Sequence, residues 1–212
     1  MADRFPGYDV LRKRGTPSWN EKTRQVIDRR LAIPREPRFL TADEFRMLHA
    51  IADRIVPQPA IRAPIPVAAL VDEKLFVDRS DGYRGATMPR EREAWQRGLR
   101  AIEAEAQAAH GKPFTALEGW AQDAILRSVE KGEAKNPAWE GMNPKTFWKQ
   151  RLINDIVHAY YAHPTAWNEI GWGGPASPRG YVRMGYDERD PWEAAEAYGD
   201  EDAARRRNER VG

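Results

Sequence analysis

Apolar residues recur along this chain at the three- and four-residue spacing of one helix face, and they nowhere alternate over a length that would make a strand. The clearest stretch is Phe45, Leu48, Ile51, Ala52 and Ile55, opened by Thr41 and Glu44 and closed by Pro57-Gln58-Pro59. Thr41 and Glu44 form a capping box, in which the hydroxyl accepts from an early backbone N–H while the carboxylate reaches back to the cap. Ser18 and Glu21 predict a similar box for a helix over 19–31, which Pro34 and Pro37 stop. A proline-rich connector over 57–66 leads to a short helix with Val67, Leu70, Val71 and Leu75 inward, and glycines over 82–87 predict a loop. Trp95, Leu99, Ile102 and Ala106 predict a long helix over about 88–110 that ends at Gly111. Thr115 and Glu118 predict a third box ahead of Trp120, Ala121, Ile125 and Val129, with Gly132 as the stop. Asn143 as cap and Pro144 at the first helical position open a last helix through Phe147, Trp148, Leu152, Ile156, Tyr160 and Tyr161, ending at His163-Pro164. Trp95, Trp120 and Trp148 fall at helical spacing and are expected in the core.

Beyond Pro164 the pattern changes. The segment from Ala166 to Tyr181 is too rich in glycine and proline for a regular helix, yet too aromatic for a solvated linker. Trp167, Trp172 and Tyr181 must fold back over the bundle or dock on another protein, where large rigid rings contribute contact area at low entropic cost. Residues 199–212 read as a frayed, charged end. The expected fold is all-α: an irregular bundle of about five to six helices with extended N- and C-terminal arms. Its parts are a basic N-terminal arm with a short helix (1–40), the helical bundle (41–165), and a Trp/Gly/Pro-rich C-terminal arm with a charged tail (166–212).

Composition removes several chemistries. The 212 residues include no cysteine, so disulfides, thiolate zinc sites and iron–sulfur ligation are impossible within the chain. Eight tryptophans argue against disorder. No apolar run approaches the ~20 residues that cross a bilayer, and no signal peptide is visible, so the chain is expected in the cytoplasm, or in the periplasm if a signal-bearing partner exports it. Net charge is only +2, but residues 1–40 hold ten Lys/Arg against five Asp/Glu, while 187–212 hold five against nine. A basic arm can bind nucleic acid or an acidic protein surface, and no recognition-helix signature favours the former.

Candidate sites are few. His49 and Asp53 stand four apart on one helix face, the spacing of a base and its orienting carboxylate, but also of a plain intrahelical contact. His158 and His163 straddle a helix end at a spacing poor for metal. Gly171-Trp172-Gly173-Gly174 lacks the Lys-Ser/Thr ending of a phosphate loop. No catalytic, cofactor-binding or metal-binding residue is therefore assigned.

The run Phe147-Trp148, then Asp155-Ile156-Val157-His158-Ala159-Tyr160-Tyr161-Ala162-His163-Pro164, Ala166-Trp167 and Ile170-Gly171-Trp172-Gly173-Gly174-Pro175, resembles the gluconate 2-dehydrogenase subunit 3 family. Phe39-Leu40-Thr41-Ala42-Asp43-Glu44 and Ile51-Ala52-Asp53-Arg54-Ile55-Val56-Pro57 are similar to that family's opening helix. The resemblance spans about residues 39–185. It implies a non-catalytic small subunit that binds and stabilises, and helps to fold or export, a larger flavoprotein of the glucose-methanol-choline oxidoreductase type. FAD would sit in that partner, which takes hydride from a sugar or other alcohol; nothing in this chain by itself calls for a cytochrome subunit. The sequence departs from the family in carrying no twin-arginine signal and in having Ala162-His163-Pro164-Thr165 in place of a Gly-Gly-Asn element. Tyr160, Tyr161, Trp167, Trp172, Pro175 and Tyr181 are the expected partner-binding residues. On the residues alone, a stand-alone helical enzyme or ligand-binding protein and a nucleic-acid-binding helical protein stay open, without a motif behind either.

Overall fold

The computed structural model describes residues 3–60, 62–78, 82, 85, 86, 88–175 and 183–211. Among these residues every regular element is helical, so the fold is all-α. Nine α-helical segments follow in chain order: α1 (Glu21–Leu31), α2 (Ala42–Ile55), α3 (Val67–Phe76), α4 (Glu91–His110), α5 (Gly119–Lys131), α6 (Pro144–Phe147), α7 (Asn154–Tyr161), α8 (Pro164–Ile170) and α9 (Glu201–Asn208). The chain divides into two units, Ile33–Tyr160 and a second one built from both chain ends, Met1–Ala32 with Tyr161–Gly212.

The central unit is organised around α2 and α4. Thr41 caps α2 with the predicted reciprocal box, its hydroxyl accepting from Glu44 N and the Glu44 carboxylate from Thr41 N at 2.9 Å. The approach to that cap is held by Asp72 of α3. Its fully buried carboxylate accepts from three successive backbone N–H groups, those of Arg38, Phe39 and Leu40. α4 buries Ala94, Trp95, Gly98, Leu99, Ile102 and Ala106 on one face. Gly98 is where Phe147 meets this helix: a Cβ built there would lie 2.1 Å from Phe147 Cζ, so only glycine lets the ring lie against the helix. Phe147 is fully buried and edge-on to Trp95 and Trp139, with centroids 5.8 and 5.9 Å away.

Asn143 and Pro144 open α6 as expected, Asn143 Oδ1 accepting from Thr146 N at 3.0 Å. Between α6 and α7 the backbone widens into a π-helical turn over Trp148–Ile153, a rare feature often found at functional sites and one with no sequence signal. Arg151 lies on this turn and is buried with Asp155 and Glu91. Asp155 accepts from Trp95 Nε1 and from Lys74 Nζ, both at 2.8 Å, and Lys74 Nζ also meets Glu91 at 2.7 Å. Arg151 lies 3.4 Å from Glu91, so two acids and two bases form one buried cluster joining α3, α4, the wide turn and α7. Desolvation offsets much of the Coulomb gain of such a cluster, so the ion pairs by themselves are weak evidence of stabilisation.

Several expected starts lie elsewhere. Trp19 is buried and its indole N–H donates to Gly173 O, which keeps the backbone extended through Asn20. Asn20, not Ser18, therefore caps α1, accepting from Thr23 N at 2.8 Å. Thr115 is inside a 3-10 turn, Phe114–Ala116, so no box forms at α5, which begins at Gly119 without a side-chain cap. Trp120 is 71% exposed and not in the core, with its ring edge-on to His110. Trp95 is buried as expected, and Trp148 is partly so.

The chain ends make the other unit. Phe5, Tyr8, Val10, Trp19, Ile27, Trp167, Trp192, Ala194 and Val211 share one apolar core. Residues 199–211 are not frayed: Asp200 caps α9 by accepting from Ala203 N, Glu201 and Asp202 occupy its first turn, and Arg205, Arg206 and Arg207 its last. Asn208 is fully buried, donating to Pro6 O and Ala195 O and accepting from Ala195 N at 2.7 Å.

Candidate partner-binding elements

Pro164 ends one helix and begins another. Its missing N–H stops α7 at Tyr161, but its fixed φ suits the first position of α8, which His163 caps by accepting from Thr165 N at Nδ1. Ala166 to Ile170 are therefore helical, against the expectation of an irregular arm from Ala166 onward. α8 is closed by Gly171 at φ +65°, where a Cβ would lie 2.4 Å from the Phe5 ring. A turn follows in which Trp172 N donates to Trp167 O and the Gly173 carbonyl accepts from Lys13 Nζ and Trp19 Nε1.

This geometry separates the six expected partner-binding residues. Trp167 is fully buried and its indole N–H donates to the Tyr161 carbonyl at 2.6 Å, so it holds the unit together from inside. Tyr160 is also buried, its hydroxyl accepting from Arg62 Nη2 at 2.9 Å within the central unit. Tyr161 is 47% and Trp172 38% exposed, the latter edge-on to Trp167 with centroids 4.7 Å apart. Pro175 is half-buried, and Tyr181 lies outside the described residues. Burial of Trp167 reflects the register of α8, which the irregular reading of 166–181 could not assign, while Tyr160 is buried on α7.

Arg30 stands near the C-terminus of α1. Its guanidinium donates to Ala162 O at 3.0 Å and lies 6.0 Å from the Trp167 ring centroid. It is half-buried with no carboxylate partner among the described residues, and burial holds it below the ordinary arginine value. Large apolar side chains are left exposed over much of the same unit: Leu31, Tyr161, Ile170, Trp172, Met184, Tyr186 and Tyr198.

His49 Nδ1 lies 3.1 Å from Asp53 on an exposed face of α2, while His158 is exposed and His163 serves as a cap. Among the described residues no group of three His, Asp or Glu is arranged to hold a metal ion. A cleft of about 410 Å³ beside α2 and α4 is lined by Asp43, Arg46, Met47, Leu99, Arg100 and Glu103, charges of both signs over a small apolar floor.

Comparison with known families gives one decisive result: the family described as gluconate 2-dehydrogenase subunit 3 matches residues 42–174. The chain belongs to that family. The matched region runs from the first turn of α2 through Gly174, so it includes the buried charge cluster, α8 and the Trp172 turn. Subunit 3 is by its description one chain of a dehydrogenase complex, which implies a partner chain. No curated protein and no solved structure matches. No helix among the described residues is long and apolar enough to cross a membrane.

Proposed function

We propose that this member of the subunit 3 family is a non-catalytic small subunit. It binds and stabilises an FAD-dependent oxidoreductase of the glucose-methanol-choline type that oxidises a sugar or other alcohol. The observation that carries the reading is the family match across α2 to the Trp172 turn. Exposed aromatic and aliphatic side chains on the unit made by the chain ends support it, since rings such as Tyr161 and Trp172 are the side chains that dominate protein interfaces. In this reading the flavin and the hydride chemistry belong to the partner, and this chain contributes surface. The charges on α2 and α4 are paired locally or solvated and serve the fold.

The test is co-purification through a tag on this chain from its native host, with mass spectrometry and a visible spectrum. The expected result is a stoichiometric flavoprotein whose flavin absorbance is lost when this chain is deleted. A colourless chain recovered alone, or a flavoprotein that keeps its flavin and solubility after the deletion, would refute the proposal.

A further inference from the structure

We propose that Arg30 is the docking point for a segment of the large subunit that presents a carboxylate beside an apolar side chain, with the exposed rings of Tyr161 and Trp172 completing the contact around Trp167. The inference rests on the small-subunit reading and names the surface and the chemistry that the partner must bring.

Arg30 carries a charge that no carboxylate among the described residues meets, in a rigid setting. Several arginines of this unit have carboxylates: Arg14 pairs with Asp28, Arg4 with Glu196 and Arg205 with Glu201. Arg30 has only a backbone carbonyl and the face of an indole, and no acid among the described residues shifts it. A guanidinium offers five N–H donors in a planar fork suited to a carboxylate, and one here is taken by Ala162 O. Half-burial has already removed part of its hydration, so pairing with an incoming acid costs less than it would for an extended arginine.

Its surroundings are rigid. Trp167 is fixed by its bond to Tyr161 O and by the backbone bond from Trp172 N to its own carbonyl, and it bears Trp172 edge-on. Arginine, tyrosine and tryptophan around a buried anchor are the composition of an interface hot spot. A wholly apolar partner would leave the guanidinium desolvated and unpaired, and a nucleic-acid backbone would not use the exposed aliphatic Ile170 at the end of the same α8.

The experiment is competition in the host between untagged wild-type chain and tagged variants, reading flavin absorbance per tagged chain after purification. Arg30→Met keeps the stem over Trp167 and removes the charge; Arg30→Glu reverses it; Arg30→Lys keeps the charge without the fork. The expected result is a loss of at least about tenfold for the Met and Glu variants, a smaller loss for Lys, and an unchanged circular dichroism spectrum. Tyr161→Asp guards against misfolding, since the Trp167 bond goes to its backbone oxygen; it sets a like charge against the partner's acid and is expected to lose binding too. Cross-linking then locates the facing acid, and its replacement by lysine is expected to restore binding to Arg30→Glu. If folded Arg30→Met and Tyr161→Asp carry as much flavoprotein as wild type, the docking assignment is overturned while the small-subunit reading stands. If tagged wild type recovers no flavoprotein, or recovers nucleic acid instead, both are overturned.

Discussion

Gly98→Ala separates local propensity from packing, because the two predict opposite signs. Within a helix such as α4, exchanging glycine for alanine ordinarily stabilises by about 1 kcal/mol. Here the added Cβ would meet Phe147 Cζ at 2.1 Å and both Cε atoms at 2.5 Å, well inside the 3.4 Å at which ordinary van der Waals contact begins. The ring has little room to withdraw, being fully buried and edge-on to both Trp95 and Trp139. Overpacking of a filled core costs about 1–3 kcal/mol and sometimes more. The contact is severe enough to place this site at or beyond the top of that range, so a net loss of roughly 2 kcal/mol remains after the propensity gain. For a chain of this size that lowers the unfolding midpoint by about 4–8 °C. Urea and thermal unfolding followed by tryptophan fluorescence check it. Phe147→Leu, destabilising alone, is expected to recover part of the loss when combined with Gly98→Ala, giving a coupling well outside additivity. A Gly98→Ala protein as stable as wild type, or strictly additive effects, would refute the packing argument.

Asn208→Ala is expected to cost about 2–3 kcal/mol, since it strands the buried Ala195 N–H and two carbonyls, and to speed proteolysis within 190–211 while the central unit stays protected. Burial lifts the Glu91 carboxyl above its ordinary 4.5, partly offset by Lys74 and Arg151. The folded state then binds this proton more tightly than the unfolded one, so the Glu91 contribution weakens as pH rises from about 4.5 through the lifted value. Glu91→Gln is accordingly expected to flatten that part of the stability–pH curve in urea titrations, and a curve parallel to wild type would contradict the assignment.

The helices with a strong period and a local stop were legible from residues alone. Thr41/Glu44, Gly111, Gly132 and Asn143-Pro144 act within a turn of their own positions, and all four stand where the spacing put them. The errors came where two local signals compete. Ser18 and Asn20 can both cap a helix, and the burial of Trp19 decides between them. Pro164 can stop a helix or start one, and His163 beside it decides for both. Thr115 and Glu118 have the box spacing, but a 3-10 turn takes the threonine away.

What the sequence determined by itself was the class of fold, the order of its main helices and, through the aromatic run from Phe147 to Trp172, the family to which the chain belongs. Those properties rest on periodicity and short-range stereochemistry, which the chain carries wherever it folds. Only the tertiary structure decided that the two chain ends form one unit, that Trp167 and Tyr160 are buried while Tyr161 and Trp172 are exposed, and that Arg30 meets no acid among the described residues. These depend on which residues distant in sequence meet. A glycine-rich turn, a buried asparagine and an arginine over a tryptophan face have no period from which to read them; their meaning comes from the neighbours that folding supplies.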